Sequence, residues 1–200
     1  MYTNEIKKYI GLNEIAESGV IVILGGTEDI AIPLCELKQA FDLTSKLYNR
    51  SVENLSVTNA AQIYDICISP INPETILLHI GYSDLKLFQE NPTEFDNQYR
   101  QLIEQIKLSD KKCNIVIISL KNPGNSPVIS DLNKHLKYIA DSEHCEFSDI
   151  SLNRVWNPGE TKDVISFIYS LGFVRPLNIK RPIYDLTKIL FCYNTCSGLA

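Results

Sequence analysis

The chain has 200 residues, of which 44% are hydrophobic and 22% are charged, which is typical of a single soluble globular domain. Its formal net charge of −5 and the lack of a basic stripe argue against nucleic acid as a partner. No apolar run reaches the roughly 18 residues of a membrane helix, and the N-terminal sequence MYTNEIKKYIGLNEI is too polar for a signal peptide. We therefore expect a cytoplasmic protein that does not bind membranes.

Apolar runs alternate with helical patterns along the chain. Short β-branched runs predict strands, and apolar residues on one face at helical spacing predict helices. In chain order we predict a strand at 19–24, a helix at 31–48, a strand at 52–57, a helix at 60–68, a strand at 75–80, a helix at 92–108, a strand at 114–120, a helix at 129–140, a strand at 145–150 and a helix at 161–171. Five such units predict an α/β fold, a three-layer α/β/α sandwich around a five-stranded parallel sheet.

The last part of the chain departs from this pattern. We assign residues 1–172 to the α/β domain and residues 173–200 to a C-terminal extension. The extension contains one amphipathic segment, Tyr184–Tyr193. Because this segment is too apolar for a free tail, we expect it to pack on the domain, on a protein partner or on a second copy of the chain.

The chain has six cysteines. Cys192 and Cys196 form a C-x3-C pair in the extension, but the further ligands that a zinc site needs are not apparent near them. The other four lie in or beside predicted core elements, where a free cysteine acts as a small hydrophobe: Cys35, Cys67, Cys113 and Cys145. We therefore predict neither a metal site nor a cofactor.

The expected ligand site of a parallel α/β sheet lies at the carboxyl ends of its strands. Here the chain reads GGTED at 25–29, TNA at 58–60, GYSD at 81–84 and NRVWNPG at 153–159. These polar and glycine-rich sequences follow predicted strands, so we expect them to meet at one edge of the sheet.

The sequences around this edge resemble the SGNH, or GDSL-type, hydrolases, over about residues 18–172. VIVILGGTED, ENLSVTNA and ILLHIGYSDL are similar to the first three sequence blocks of that family, and NRVWNPGETKDVISFI is similar to its last block. The order and the gaps between the blocks agree with the family. The resemblance implies a flavodoxin-like sheet and the fold of an ester or acyl hydrolase.

The catalytic positions of that family are replaced in this sequence. In the family a serine attacks the ester, a histidine oriented by an aspartate takes its proton, and a glycine and an asparagine help to hold the oxyanion. The resemblance places Thr27 at the serine, Asn59 at the glycine, Ser83 at the asparagine, Asn153 at the aspartate and Trp156 at the histidine. An indole cannot accept a proton, and the methyl group of a threonine crowds its hydroxyl.

Three acids at this edge have both a structural and a functional interpretation. Glu28 and Asp29 follow the first strand, where negative charge favours the start of the next helix. A carboxylate there could instead act as a base for Thr27. Asp84 follows the third strand, and we expect it to cap the next segment or to pair with Arg154.

None of the three histidines is placed as a base. His79 lies within the third strand, two residues before its glycine turn, so we expect its side chain below the sheet edge. His135 lies on the rim of an amphipathic helix, and His144 precedes the fifth strand at the opposite end of the sheet. We predict structural roles for all three.

Two interpretations of the function remain open. One is an active ester hydrolase with a rebuilt site, in which Thr27 or Ser83 is the nucleophile and Glu28 is the base. The other, which we favour, is a non-catalytic protein with a degenerate site that binds a ligand or a partner. A small acyl- or sugar-like ligand would then contact Gly26, Thr27, Asn59, Ser83, Asp84, Asn153 and Trp156.

Overall fold

A parallel five-stranded sheet forms the centre of the molecule. The computed structural model describes residues 4–40, 43, 45–122, 124–150 and 183–192. In these residues the strands are β1 (Ile21–Gly25), β2 (Leu47–Asn49), β3 (Thr75–His79), β4 (Asn114–Ile118) and β5 (Glu146–Ser148). They lie in the order β2-β1-β3-β4-β5, and every pairing is parallel. The predicted α/β fold with a five-stranded parallel sheet is confirmed.

Helices cover both faces of this sheet. In the described residues they are α1 (Asn4–Asn13), α2 (Leu34–Ala40), α3 (Val57–Cys67), α4 (Leu85–Glu90), α5 (Pro92–Ser109), α6 (Pro127–Ser142) and α7 (Ile183–Cys192). Buried residues of α1, α3, α4, α5 and α6 form one core with one face of the strands, and those of α2 and α7 form a second core with the other face. Strands buried on both faces explain the continuous apolar runs of the sequence.

Two predictions for the second strand–helix unit are wrong. We predict a helix at 31–48, but the observed helix, α2, spans Leu34–Ala40, and the end of the predicted range overlaps the start of β2. The strand predicted at 52–57 is a loop that leads into α3. Val52, Leu55 and Val57 are nevertheless buried in the core, so this short apolar stretch resembles a strand in the sequence.

The other predicted elements within the described residues are confirmed, with small changes at their ends. The best-defined start is that of α5, where the backbone N–H of Glu94 donates to the side chain of Asn91 over 3.2 Å and Pro92 occupies the first helical position. The helix predicted at 161–171 lies outside the described residues.

The amphipathic segment of the extension forms α7. Ile189, Leu190 and Phe191 are buried in the second core, and the hydroxyl groups of Thr187 and Ser148 share a short hydrogen bond. Residues of α7 therefore complete the packing of the sheet on this face. Among the described helices, none combines the length and the apolar character needed to cross a lipid bilayer.

Candidate functional site

Two similar turns lie at the carboxyl edge of the sheet. The first turn, Gly26–Asp29, follows β1, and the second turn, Gly81–Asp84, follows β3. In each, the glycine precedes one turn of 3-10 helix, and the aspartate N–H donates to the glycine carbonyl over 3.0 Å. Both aspartates are buried. Gly81 has a φ of +145°, a conformation that a side chain would strain.

The outer positions of these turns carry side chains that we predict to bind a ligand. Thr27 and Ser83 are exposed, as is Glu28. The backbone N–H of Asn54 donates to Oγ1 of Thr27 over 3.0 Å and so holds the loop after β2 against the first turn. The hydroxyl of Thr27 therefore already accepts one hydrogen bond within the protein.

Asn59 lies in the first turn of α3 and acts there as a helix cap. Its side-chain oxygen accepts a hydrogen bond from the backbone N–H of Ser56 over 2.9 Å, and the two residues form a capping box. Asn59 is an exposed residue. Its position is compatible with the predicted contact to a ligand, but its oxygen has a structural partner.

Asp84 joins the second turn to the start of α3. Its two carboxylate oxygens lie 3.2 and 3.1 Å from the backbone nitrogen of Val57, the first residue of that helix. Burial raises the pKa of Asp84 to about 6, although the hydrogen bond from Val57 opposes this change. Asp84 thus caps α3 rather than the segment that follows β3. Arg154, its other predicted partner, lies outside the described residues.

Asp29 makes a deeply buried polar contact at this edge. The Nδ1–H of His79, the last residue of β3, donates to Oδ2 of Asp29 over 2.8 Å, and the two side chains are 2% and 3% exposed. The carboxylate folds back over Gly25, where an added Cβ would lie 2.0 Å from Oδ2. Asp29 lies in the first turn of the short helix after β1, and its carboxylate is engaged by His79.

The histidine ring is held by two aromatic neighbours. The ring of Tyr82 meets it edge-on at a centroid distance of 5.7 Å, and the ring of Phe191 from α7 meets it at 4.8 Å. Nε2 of His79 is buried and has no hydrogen-bond partner among the described residues. The side chain of His79 is thus buried at the end of β3, and it packs on Phe191 of the second core.

Sequence reasoning missed the pair of Asp29 and His79. The two residues are 50 positions apart, so no local pattern links them. One signal was available: a histidine in the otherwise aliphatic strand TILLHI is buried and must find a polar partner. The acids after the neighbouring β1 were the nearest candidates.

The other two histidines lie away from these turns. His135 on α6 lies 2.9 Å from Asp96 of α5 through Nδ1, and its ring packs on Phe88 at 4.9 Å. His144 has a φ of +53° in the connection between α6 and β5.

The remaining predicted site residues, Asn153 and Trp156, lie outside the described residues. Within the described part of the chain, His, Cys, Asp and Glu side chains form no cluster of three that could hold a metal ion. A cleft of about 270 Å³ opens between the end of β5, the loop after β4 and α6. It is lined by Asn122, Asn125, Ser130, Asn133, Lys134, Lys137, Phe147 and Asp149.

Comparison with known proteins identifies the fold. No family model matches the sequence, and no curated protein matches it. The chain is similar to a solved structure from Streptococcus pneumonia, provisionally named a platelet activating factor, with a TM-score of 0.64 and 18% identity over 94% of this chain and 90% of that one.

Two further solved structures are similar. A GDSL-like lipase from Bacteroides thetaiotaomicron gives a TM-score of 0.58 and 14% identity over 84% of this chain and 96% of that one. AlinE4, an SGNH-hydrolase family esterase, gives a TM-score of 0.53 and 15% identity over 82% of this chain and 98% of that one. The chain therefore has the fold of SGNH esterases and lipases. At these identities the likeness establishes the fold and leaves the activity to be argued from the site.

Proposed function

We propose that the protein is a non-catalytic member of this fold that binds a small acyl- or sugar-like ligand at the carboxyl edge of its sheet. The observation that carries the proposal is the state of the hydroxyl of Thr27. This hydroxyl accepts a hydrogen bond from the backbone N–H of Asn54. The histidine at the end of β3, His79, is buried and hydrogen-bonded to Asp29 instead of to Thr27.

A hydroxyl nucleophile needs a base within about 3 Å that can take its proton. The imidazole of His79 is unsuited to this role because Nδ1 is used by Asp29 and the ring is enclosed by Tyr82 and Phe191. Glu28 lies beside Thr27 in the chain, but an exposed carboxylate is a weak base for an alcohol. The described residues therefore favour binding over hydrolysis.

The proposed ligand class follows from the chemistry of the rim. Thr27 and Ser83 present exposed hydroxyl groups from neighbouring turns, and Asn59 presents an amide nitrogen. Such groups hydrogen-bond to carbonyl and hydroxyl oxygens, which acyl groups and sugars carry. The sequence places a further amide, Asn153, and an aromatic ring, Trp156, in the segment after β5.

The extension is less suited to the alternative partner, a protein or a second copy of the chain. The apolar side chains of α7 that would form such a contact, Ile189, Leu190 and Phe191, are buried in the core of the same chain. A small ligand at the sheet edge requires no displacement of this helix.

The first experiment is covalent labelling with a fluorophosphonate probe, which reacts with activated hydroxyl groups, followed by mass spectrometric mapping. We expect no adduct on the protein under conditions that label an active esterase fully. An adduct that disappears in Thr27→Ala or Ser83→Ala, and on heat denaturation, would overturn the proposal in favour of a rebuilt ester hydrolase.

The ligand is tested separately by NMR titration with acetate and with N-acetylglucosamine. We expect chemical shift changes at the backbone amides of Thr27, Asn54 and Ser83, and we expect smaller changes in Thr27→Ala. Changes confined to other surfaces, or no changes up to high millimolar concentrations, would contradict binding of this ligand class at the edge.

A further inference from the structure

Three parts of the molecule that are distant in sequence meet at His79. They are the first turn through Asp29, strand β3 through His79 itself, and helix α7 through Phe191. We propose that Asp29 and His79 form a positioning pair, through which a change in the position of α7 alters the conformation of the turn that carries Thr27. The C-terminal helix would thereby set the geometry of the candidate site without touching a ligand.

The first link is the contact between α7 and the imidazole. Phe191 is 1% exposed, and its ring lies 4.8 Å from that of His79 at an interplanar angle of 61°. Tyr82 packs on the imidazole with its ring almost perpendicular, at 88°. Because closely packed side chains have few alternative arrangements, we expect a change in the position of Phe191 to shift the imidazole.

The second link is the hydrogen bond between the imidazole and the carboxylate. Both groups are almost completely buried, so separating them would leave two unpaired polar groups in the core. The pair is therefore expected to move as a unit. The carboxylate also fits closely over Gly25, which leaves Asp29 little freedom to adjust alone.

The third link is the backbone of Asp29. Its N–H donates to the carbonyl of Gly26 over 3.0 Å, and its own carbonyl accepts from Nδ2 of Asn49 over 2.7 Å. Moving Asp29 thus disturbs the hydrogen bonds that define the first turn. Thr27 lies within that turn, and through Oγ1 it also holds Asn54.

The coupling is a property of the fold, and only its effect on ligand affinity depends on the proposed function. For this reason the test uses amide hydrogen exchange of the full chain without ligand. The amides of Asp29 and Asn54 report on the first turn, and the amide of Glu143, which donates to Ile139, serves as a distant reference.

The test compares two variants of α7. Phe191→Leu alters the contact with His79, and Leu190→Ala is the matched control because Leu190 is equally buried beside it. We expect Phe191→Leu to speed exchange at Asp29 and Asn54 about tenfold relative to Glu143, the size of an ordinary coupling between sites. Leu190→Ala is expected to change all three amides by similar factors.

Variants of Asp29 test whether the pair carries the effect. Asp29→Asn keeps an oxygen that can accept from the Nδ1–H of His79, so it should retain both the selective response to Phe191→Leu and the proton signal of that hydrogen bond in NMR spectra. Asp29→Ala should remove both.

A response at the first turn that is equal in Phe191→Leu and Leu190→Ala would overturn the proposal, as would a selective response that survives Asp29→Ala. If Asp29→Ala does not fold, the comparison of the two α7 variants still decides. Failure of ligand binding with the selective response intact would contradict the proposed function alone.

Discussion

The two turns at the sheet edge each place a buried aspartate at the end of one turn of 3-10 helix, but the two aspartates have different partners. In the first turn the carboxylate of Asp29 accepts a hydrogen bond from a side chain, that of His79. In the second turn the carboxylate of Asp84 accepts from the backbone N–H of Val57. The two aspartates are equally buried, so a difference in how they affect stability is attributed to their partners and not to their burial.

The difference shows that a buried carboxyl group in this fold can serve two purposes. Asp29 is tied to the second core, because its partner His79 packs on Phe191, which belongs to that core. Asp84 is tied to one helix, α3, whose free N–H groups it helps to satisfy. Changes at the first turn should therefore affect the whole domain, and changes at the second should be local and dependent on pH.

The largest expected effect is that of Gly25→Ala. The new Cβ would lie 2.0 Å from Oδ2 and 3.0 Å from Cβ of Asp29, so the carboxylate must leave its position and the bond to His79 must break. Breaking a buried pair typically costs about 3–5 kcal/mol. We expect the free energy of unfolding, measured with urea, to fall by that amount.

The matched control is the neighbouring Gly26→Ala. There the added Cβ meets only the end of the Glu28 side chain, at 3.3 Å, and the φ of −88° suits any residue. The expected loss is below about 1 kcal/mol. Equal losses for the two variants would mean that the carboxylate of Asp29 is not fixed over Gly25.

The architecture was predictable because burial leaves a strong pattern in most of the sheet. β1, β3 and β4 are buried on both faces, so each reads as a continuous apolar run. β2 was missed because its first two residues fall within an apolar pattern that predicts a helix, and because Val52 and Leu55 are buried from a loop and resemble a strand.

The candidate site was predictable in position but not in its internal contacts. Thr27, Ser83 and Asp84 lie at the carboxyl edge because the order of the strands fixes where their turns must be. The pairing of Asp29 with His79 depends on the register of β1 against β3, in which Gly25 lies opposite His79. That register is set by packing across the whole sheet, which local sequence does not contain.

The second prediction concerns the pH dependence that Asp84 causes. Burial raises its pKa from 3.8 to about 6, so the folded protein holds this proton more tightly than the unfolded chain does. Its contribution to stability is therefore full below pH 4 and is lost as the pH rises through 6. A change of this size corresponds to about 3 kcal/mol. Urea unfolding between pH 4 and 7 measures it.

Asp84→Asn should remove this part of the pH dependence, because the amide stays neutral while its oxygen can still accept from Val57. The variant should therefore gain stability relative to the wild type as the pH rises. Asp131→Asn, a change at an exposed carboxyl, is the control. An unchanged difference between wild type and Asp84→Asn across this range would show that Asp84 ionises as freely as a surface acid.

The smallest expected effect separates the two contributions to the start of α3. Asn59→Ala removes the acceptor for the N–H of Ser56 but leaves the hydrogen bond between Asp84 and Val57. Loss of such a cap costs about 1 kcal/mol. Since Asn59 is exposed, no cavity adds to this cost, and the loss should be the same at pH 5 and pH 7.

The control for this change is Asn59→Gln, because a glutamine at the third helical position can also reach back to the backbone N–H before the helix. It should keep the stability within about 0.5 kcal/mol of the wild type. A cap that acts independently of Asp84 predicts that Asn59→Ala and Asp84→Asn have additive effects on the free energy of unfolding. A loss of unfolding free energy in the double variant that is well above the sum of the two single effects would show that Asn59 and the second turn hold the start of α3 jointly, in the way that Asp29 and His79 hold the first turn.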